Sequence, residues 1–260
     1  MKLFASFLLI VGTFVCGIWL ATNSTQGQQE QVEQPDEPTV VKKGQITKQE
    51  KAYSKEYEKE YDYSNDPKLT EIKEPGGIGI VIGEGSFPGS TDDTAITSNQ
   101  FLEKLSCEAD AVVVGKVKDK ASHLTSDERF IYTAYDFEIK RTIKNNPASS
   151  IEIGKNIEIT RPGGFIKIDD QLIKVEDKSY EPLKRNKEYL LFLKFVPSAN
   201  GYKVFDSQSD FALENNAIIK LSKRALPKEL KNGTKSKILL DLVQNASLVN
   251  CSQYLIGDAK

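Results

Sequence analysis

Histidine, methionine and tryptophan occur once each among the 260 residues, and cysteine three times. A single histidine, His123, disfavours an HExxH zinc site and a Ser-His-Asp triad, and the chain contains no GxSxG nucleophile elbow. Cys16, Cys107 and Cys251 lie too far apart for CxxC redox chemistry or a cysteine zinc site. Charge of one sign is also lacking: 35 basic and 37 acidic residues leave a net charge of -2, so no global field draws the chain to nucleic acid. Tyr132, Tyr135 and Phe137 lie near Lys140, Arg141 and Lys144, but Asp136 and Glu138 are interleaved, which argues against a stacking groove for single strands. The carboxylate pairs Asp92-Asp93 and Asp169-Asp170 sit outside any EF-hand pattern and read as turn formers. His123, in the polar stretch ASHLTSDER, reads as a surface-loop histidine. No catalytic, cofactor-binding or metal-ligating residue is assigned.

What is present begins with Lys2 and an apolar run from Leu3 to Ala21. As a helix this run is about 28 Å long, close to the thickness of a bilayer core. It is expected to be a cleaved signal or a retained membrane anchor, so the chain is secreted, periplasmic or anchored facing outward. Polar sequence rich in Gln and Glu follows, too poor in apolar residues to offset its ordering entropy. From Thr47 to Asp66, Lys and Glu alternate around Tyr53, Tyr57, Tyr61 and Tyr63. Tyr53, Tyr57 and Tyr61 fall on one helical face; the segment reads as a solvated spacer or a short partner-docking helix. The glycine-rich stretch 75–90 contains IGEGSF, similar to a kinase phosphate loop. Pro88 replaces the needed glycine and no His-Arg-Asp or Asp-Phe-Gly follows, so it reads as a flexible hairpin or linker strand.

A folded domain is expected from Thr97. Ser98 is placed as the cap of a helix to Leu105, with Phe101, Leu102 and Leu105 on one side. Strands follow at Ala109–Lys118, Ile131–Ile139, Asn156–Arg161, Phe165–Ile168, Leu172–Val175, Tyr189–Val196, Tyr202–Phe205 and Phe211–Leu213, from apolar runs and period-two alternation. Asp169-Asp170-Gln171 is a hairpin signal, RPGG (161–164) a turn, and residues 119–130 a long loop. Near the C-terminus, Thr234 is placed as the cap of a helix whose Ile238, Leu239, Leu242 and Val243 form one apolar face. Such strand spacing suggests a small barrel or sandwich. With the first segment removed or embedded, Cys107 and Cys251 remain, as a disulfide in an oxidising compartment or as two buried thiols.

Three stretches carry a resemblance: SCEADAVVVGKV (106–117), YTAYDFEIKRTIKNN (132–146) and KEYLLFLKFVPSANGYKVFDSQSDF (187–211). In order and spacing, residues 105–213 resemble the netrin-like, OB-fold domain of the tissue inhibitors of metalloproteinases. The resemblance implies a five-stranded barrel. It does not imply inhibition, because those inhibitors chelate zinc through an amino-terminal cysteine, whereas Cys107 is internal.

The expected fold is therefore mainly β: a small OB-like five-stranded barrel with flanking helices, preceded by an N-terminal apolar helix and a disordered linker. Residues 1–24 are the signal or anchor, 25–96 a flexible linker, 97–213 the barrel, and 214–260 a helical segment packed on it. The expected function is a protein–protein interaction module with a protein partner, no nucleic acid, and membrane attachment through residues 3–21 if these are retained. The alternatives are a carboxylate-dependent hydrolase of envelope material or a structural envelope protein.

Overall fold

The computed structural model describes residues 37–42, 46–60, 69–74, 77–82, 97–177, 181–205, 210–222, 227 and 230–254. The apolar run 3–21, the glutamine-rich stretch after it, Tyr61, Tyr63, Asp92-Asp93 and the IGEGSF loop beyond Ile82 lie outside these residues. The described residues belong to one compact unit, Asp36–Lys260. Among them, no helix is long and apolar enough to cross a membrane.

The elements in chain order are β1 (Thr39–Val40), α1 (Lys48–Glu60), β2 (Leu69–Glu74), β3 (Gly77–Ile82), α2 (Ser98–Glu108), β4 (Ala111–Leu124), β5 (Ile131–Lys144), β6 (Asn156–Pro162), β7 (Gly164–Ile168), β8 (Gln171–Asp177), β9 (Glu188–Val196), β10 (Gly201–Val204), β11 (Asp210–Glu214), β12 (Ala217–Lys220), α3 (Ser236–Ala246) and a 3-10 turn, Cys251–Gln253. The architecture is mainly β with flanking helices, as expected, but the strands form two sheets where a single five-stranded barrel was expected. A seven-stranded sheet runs β10-β6-β5-β4-β9-β11-β12, and a five-stranded sheet runs β1-β7-β8-β3-β2.

In the larger sheet, β10 pairs with β6 in parallel and with β9 antiparallel. Through β5 and β4, which pair antiparallel with β6 and β9, five strands are joined in a cycle. This explains the near-continuous apolar runs AVVV and YLLFL. Val113, Phe137, Ile139, Leu191 and Leu193 form one cluster on one face. Val112, Val114, Leu190 and Phe192 form another on the opposite face, beneath α2 and α3. A strand covered on both faces shows no polar alternation. β4 bends through register shifts near Val112, Val114 and Val117. Gly115 permits the close approach of β5, because a Cβ there would meet the Glu138 carbonyl and the Phe137 ring.

The hairpin expected at Asp169-Asp170 is present: both residues have positive φ, 47° and 63°, and Ile168 pairs with Gln171. These are the signs of a two-residue I′-type turn. The N-terminal caps of the two helices differ from expectation by one residue, and α2 runs three residues past Leu105, to Glu108. Thr97, rather than Ser98, caps α2, in a reciprocal box with Gln100. Lys235, rather than Thr234, stands at the N-cap of α3 and makes no side-chain cap. The Thr234 carbonyl instead accepts the Ile218 N–H at 2.8 Å, so pairing with β12 fixes that end. Leu239, Val243 and Ala246 are buried, whereas Ile238 is half exposed. β12 itself lies in the segment expected to be wholly helical, and follows an Asn215-Asn216 turn with positive φ at both residues.

Three further expectations are corrected. The first half of the long loop 119–130 is strand: Lys120–Leu124 pair with Ile131–Tyr135, leaving a turn at 125–130. The polar character of 119–124 misled because its side chains have polar partners, Ser122 bonding Thr133 and His123 pairing with Glu50. RPGG is not simply a turn, since Arg161 and Pro162 belong to β6 and pair with Thr133 and Tyr132. Within the segment read as linker, the helix and strand that the sequence offered are present as α1 and β3, but they are packed into the domain: Tyr53 and Tyr57 are each 1% exposed, and the β2–β3 hairpin pairs in parallel with β8. A linker reading rests on composition, but burial here depends on residues distant in sequence.

Cys107 and Cys251 form a disulfide, with Cα atoms 5.3 Å apart. It ties the end of α2 to the 3-10 turn. Lys144 reinforces this corner, donating to the carbonyls of Ser106 and Ala109 at 2.7 and 2.6 Å, where the helix dipole favours a cation.

Candidate binding surface

Among the described residues, no group of three His, Cys, Asp or Glu side chains could hold a metal ion. Asp169 and Asp170 serve as turn residues, with Asp170 2.9 Å from Lys167. A set of aromatic, hydroxyl and titratable side chains comes together where α1 meets β4, β5, β6 and β10.

α1 starts at a local signal. The Thr47 hydroxyl accepts the Glu50 N–H at 3.1 Å, and the Glu50 carboxylate accepts the Thr47 N–H at 2.5 Å. The helical repeat then places Glu50, Tyr53, Ser54 and Tyr57 along one stripe. That stripe faces the domain. Tyr57 stacks on Tyr132 with ring centres 5.1 Å apart and lies 5.3 Å from Phe130. Its hydroxyl donates to Thr160 Oγ1 at 2.9 Å. Tyr53 lies 6.1 Å from Tyr132. The Tyr53 hydroxyl occupies the place a side chain would need at Gly201. Ser54 lies 2.8 Å from Ser126, and Glu58 accepts from both hydroxyls at 2.7 Å. The Ser126 N–H also donates to Ser54 at 2.6 Å. Each of these contacts uses at least one side chain.

His123 is on β4 rather than on a loop. Its Nδ1 is 2.6 Å from Glu50 Oε1, and its ring stacks on Tyr132 at 5.3 Å. The chain's only imidazole thus helps hold α1. Burial raises the Glu50 carboxyl, but hydrogen bonds to Thr47 and the nearby His123 outweigh it, leaving Glu50 below the usual range. Glu158, on β6, is pushed up, chiefly by burial; the Tyr53 hydroxyl opposes this and the charges of Glu50 and Asp136 add to it. Tyr53 and Tyr132 are pushed well above the ordinary phenol range, mainly by burial, and stay neutral.

A second charged feature lies within the core. Arg161 and Asp210 form an ion pair with side chains 2% and 0% exposed. Arg161 follows Ile159 by two residues, on the same face of β6 as the core cluster. Such a pair is costly to bury and costlier still to break.

Chemically, the surface beneath α1 offers stacked aromatic rings, a slot at Gly201, hydroxyl partners at Thr160 and Ser126, and an imidazole facing a carboxylate. This is equipment for seating a helix. Of the residues singled out from sequence, Tyr53, Tyr57, Tyr132 and His123 come together here, while Tyr135 and Phe137 enter the core cluster instead. Thr160, Glu158 and the role of Gly201 were missed. Neither a scan of protein-family models nor a search of curated proteins finds a match to this chain.

Proposed function

We propose that the chain is an exported or membrane-anchored protein–protein interaction module built on an OB-like barrel, and that the face beneath α1 is its contact surface. The observation that carries the reading is the seating of Tyr53 and Tyr57: the domain already holds an amphipathic helix, against a surface shaped for it. Helix-in-groove recognition works through such anchors at helical spacing. The barrel reading is supported by the cycle of pairings, β4-β5-β6-β10-β9 and back to β4, whose parallel pair, β6 and β10, joins the third and fifth of these strands in chain order. In barrels of this kind the second and third strands carry much of the ligand surface. Here those strands are β5 and β6, which supply Tyr132 and Thr160. Export rests on the apolar run Leu3–Ala21.

The test uses a chain with its own helix disabled. Tyr53→Ala/Tyr57→Ala should remain folded by circular dichroism and bind a labelled synthetic peptide of residues 46–60 saturably. Adding Gly201→Ala should abolish that binding. A folded, opened protein that does not take the peptide removes the basis of the reading.

A further inference from the structure

The surface beneath α1 is complementary to the E-x-x-Y-S-x-x-Y stripe of α1 itself. Every copy of the chain carries both halves of that match. We infer that the slot also accepts α1 from a second copy, so that two chains exchange helices and form a symmetric dimer in which each completes the other's site. The inference rests on the reading of this face as a protein-binding surface and names its partner.

Three observations carry it. First, the match is specific in shape and charge: Tyr53 fills the space left by Gly201, Glu50 meets His123 at 2.6 Å, and Tyr57 bonds Thr160 at 2.9 Å. None of these contacts depends on the helix being in the same chain. Second, the described contacts of α1 use side chains, whereas the strands before and after it, β1 and β2, pair with β7 and β3 through the backbone. Withdrawing α1 breaks none of those pairings, so α1 alone is exchanged, between strands that stay in their own chain. Third, the helix initiates itself through the Thr47–Glu50 box. Thirteen residues are nevertheless too few to be stable alone in water, so a released α1 needs a slot. Exchange of an identical element is a low-cost route to dimers, with a two-fold axis relating two identical contacts. Docking within one chain competes at an effective concentration on the order of 1 mM, so exchange grows towards that concentration, as it does for chains confined at a membrane.

The experiment reads which chain's slot the helix occupies. Ser54 and Ser126 have hydroxyl oxygens 2.8 Å apart. In a Cys16→Ser background, Ser54→Cys/Ser126→Cys places two thiols across the α1 contact. The chain is equilibrated at concentrations from micromolar to about 1 mM, oxidised, and run on a non-reducing gel. A covalent dimer whose fraction rises with concentration, towards about half near 1 mM, is the expected result. A covalent monomer at every concentration overturns the exchange. Peptide 46–60 binding the opened protein while only covalent monomer forms leaves the surface reading standing and removes the second-copy partner. Should the double-cysteine chain misfold, complementation replaces it. Tyr53→Ala/Tyr57→Ala keeps the slot and Gly201→Ala keeps the helix. Mixed near 1 mM, the two should sediment as a 1:1 heterodimer. Folded variants that stay separate overturn the inference.

Discussion

The hydroxyl of Tyr53 occupies the space that any side chain at position 201 would need, so Tyr53 and Gly201 are two halves of one packing decision made 148 residues apart. Gly201 does not adopt a positive φ, so its role is to leave room.

Gly201→Ala should therefore displace α1 without breaking β10. Overpacking of this kind costs about 1–3 kcal/mol. The expected result is a lower Tm together with faster tryptic cleavage at Lys48, Lys51 and Lys55, while the far-UV β signal is kept. Unchanged cleavage would mean that the helix is held by something else.

The buried Arg161–Asp210 pair should respond asymmetrically. Arg161→Met alone leaves Asp210 without its cation and should cost about 3–5 kcal/mol. Arg161→Met/Asp210→Leu should recover most of that loss, because the desolvation of both charges disappears. Urea titrations of the two variants measure this; equal losses would argue against a dominant desolvation cost.

Glu158 and Glu50 set opposite pH limits on α1 docking. Glu158 has a raised value in the folded state, so it retains a proton that the unfolded chain has released. Its contribution to stability is present at low pH and is lost as pH rises through the raised value. Glu50 has a lowered value, so its contribution is present above the unfolded value and is lost as pH falls through the folded one. Stability should peak on the mildly acidic side. Glu158→Gln should flatten the decline on the higher-pH side of the peak and Glu50→Gln the one on the lower-pH side, in thermal melts collected across pH.

Reduction of Cys107–Cys251 should loosen the corner between α2 and the C-terminal turn. The bond closes a long loop, with a sequence separation of 144, and its loss should cost about 2–5 kcal/mol. Cys107→Ser/Cys251→Ser should lower the Tm accordingly and increase cleavage near the C-terminus. If the Tm does not move, Lys144 and the apolar contacts of α3 hold that corner alone.

The strands were largely legible because their signals are local. Ile131–Ile139 alternates, Tyr189–Val196 is apolar throughout, and Asp169-Asp170 tolerates the positive φ that a two-residue hairpin needs. The cysteine pair could be anticipated by counting, since two remain once Cys16 is set aside, though counting left free thiols open. What misread was local polarity: Lys120–Leu124 looked like loop, because polar residues in strands signal solvent unless their partners are known.

Sequence by itself determined a mainly β chain with flanking helices, because periodicity and turn chemistry act over a few residues. It also set the tyrosine stripe of α1. Only the tertiary structure decided what that stripe meets. Burial of Tyr53 and Tyr57 depends on Tyr132, Thr160 and Gly201, which share no local pattern with α1 and come together only when the strands pair. Complementarity between distant segments is a property of the folded surface, and no window along the chain contains both sides of it.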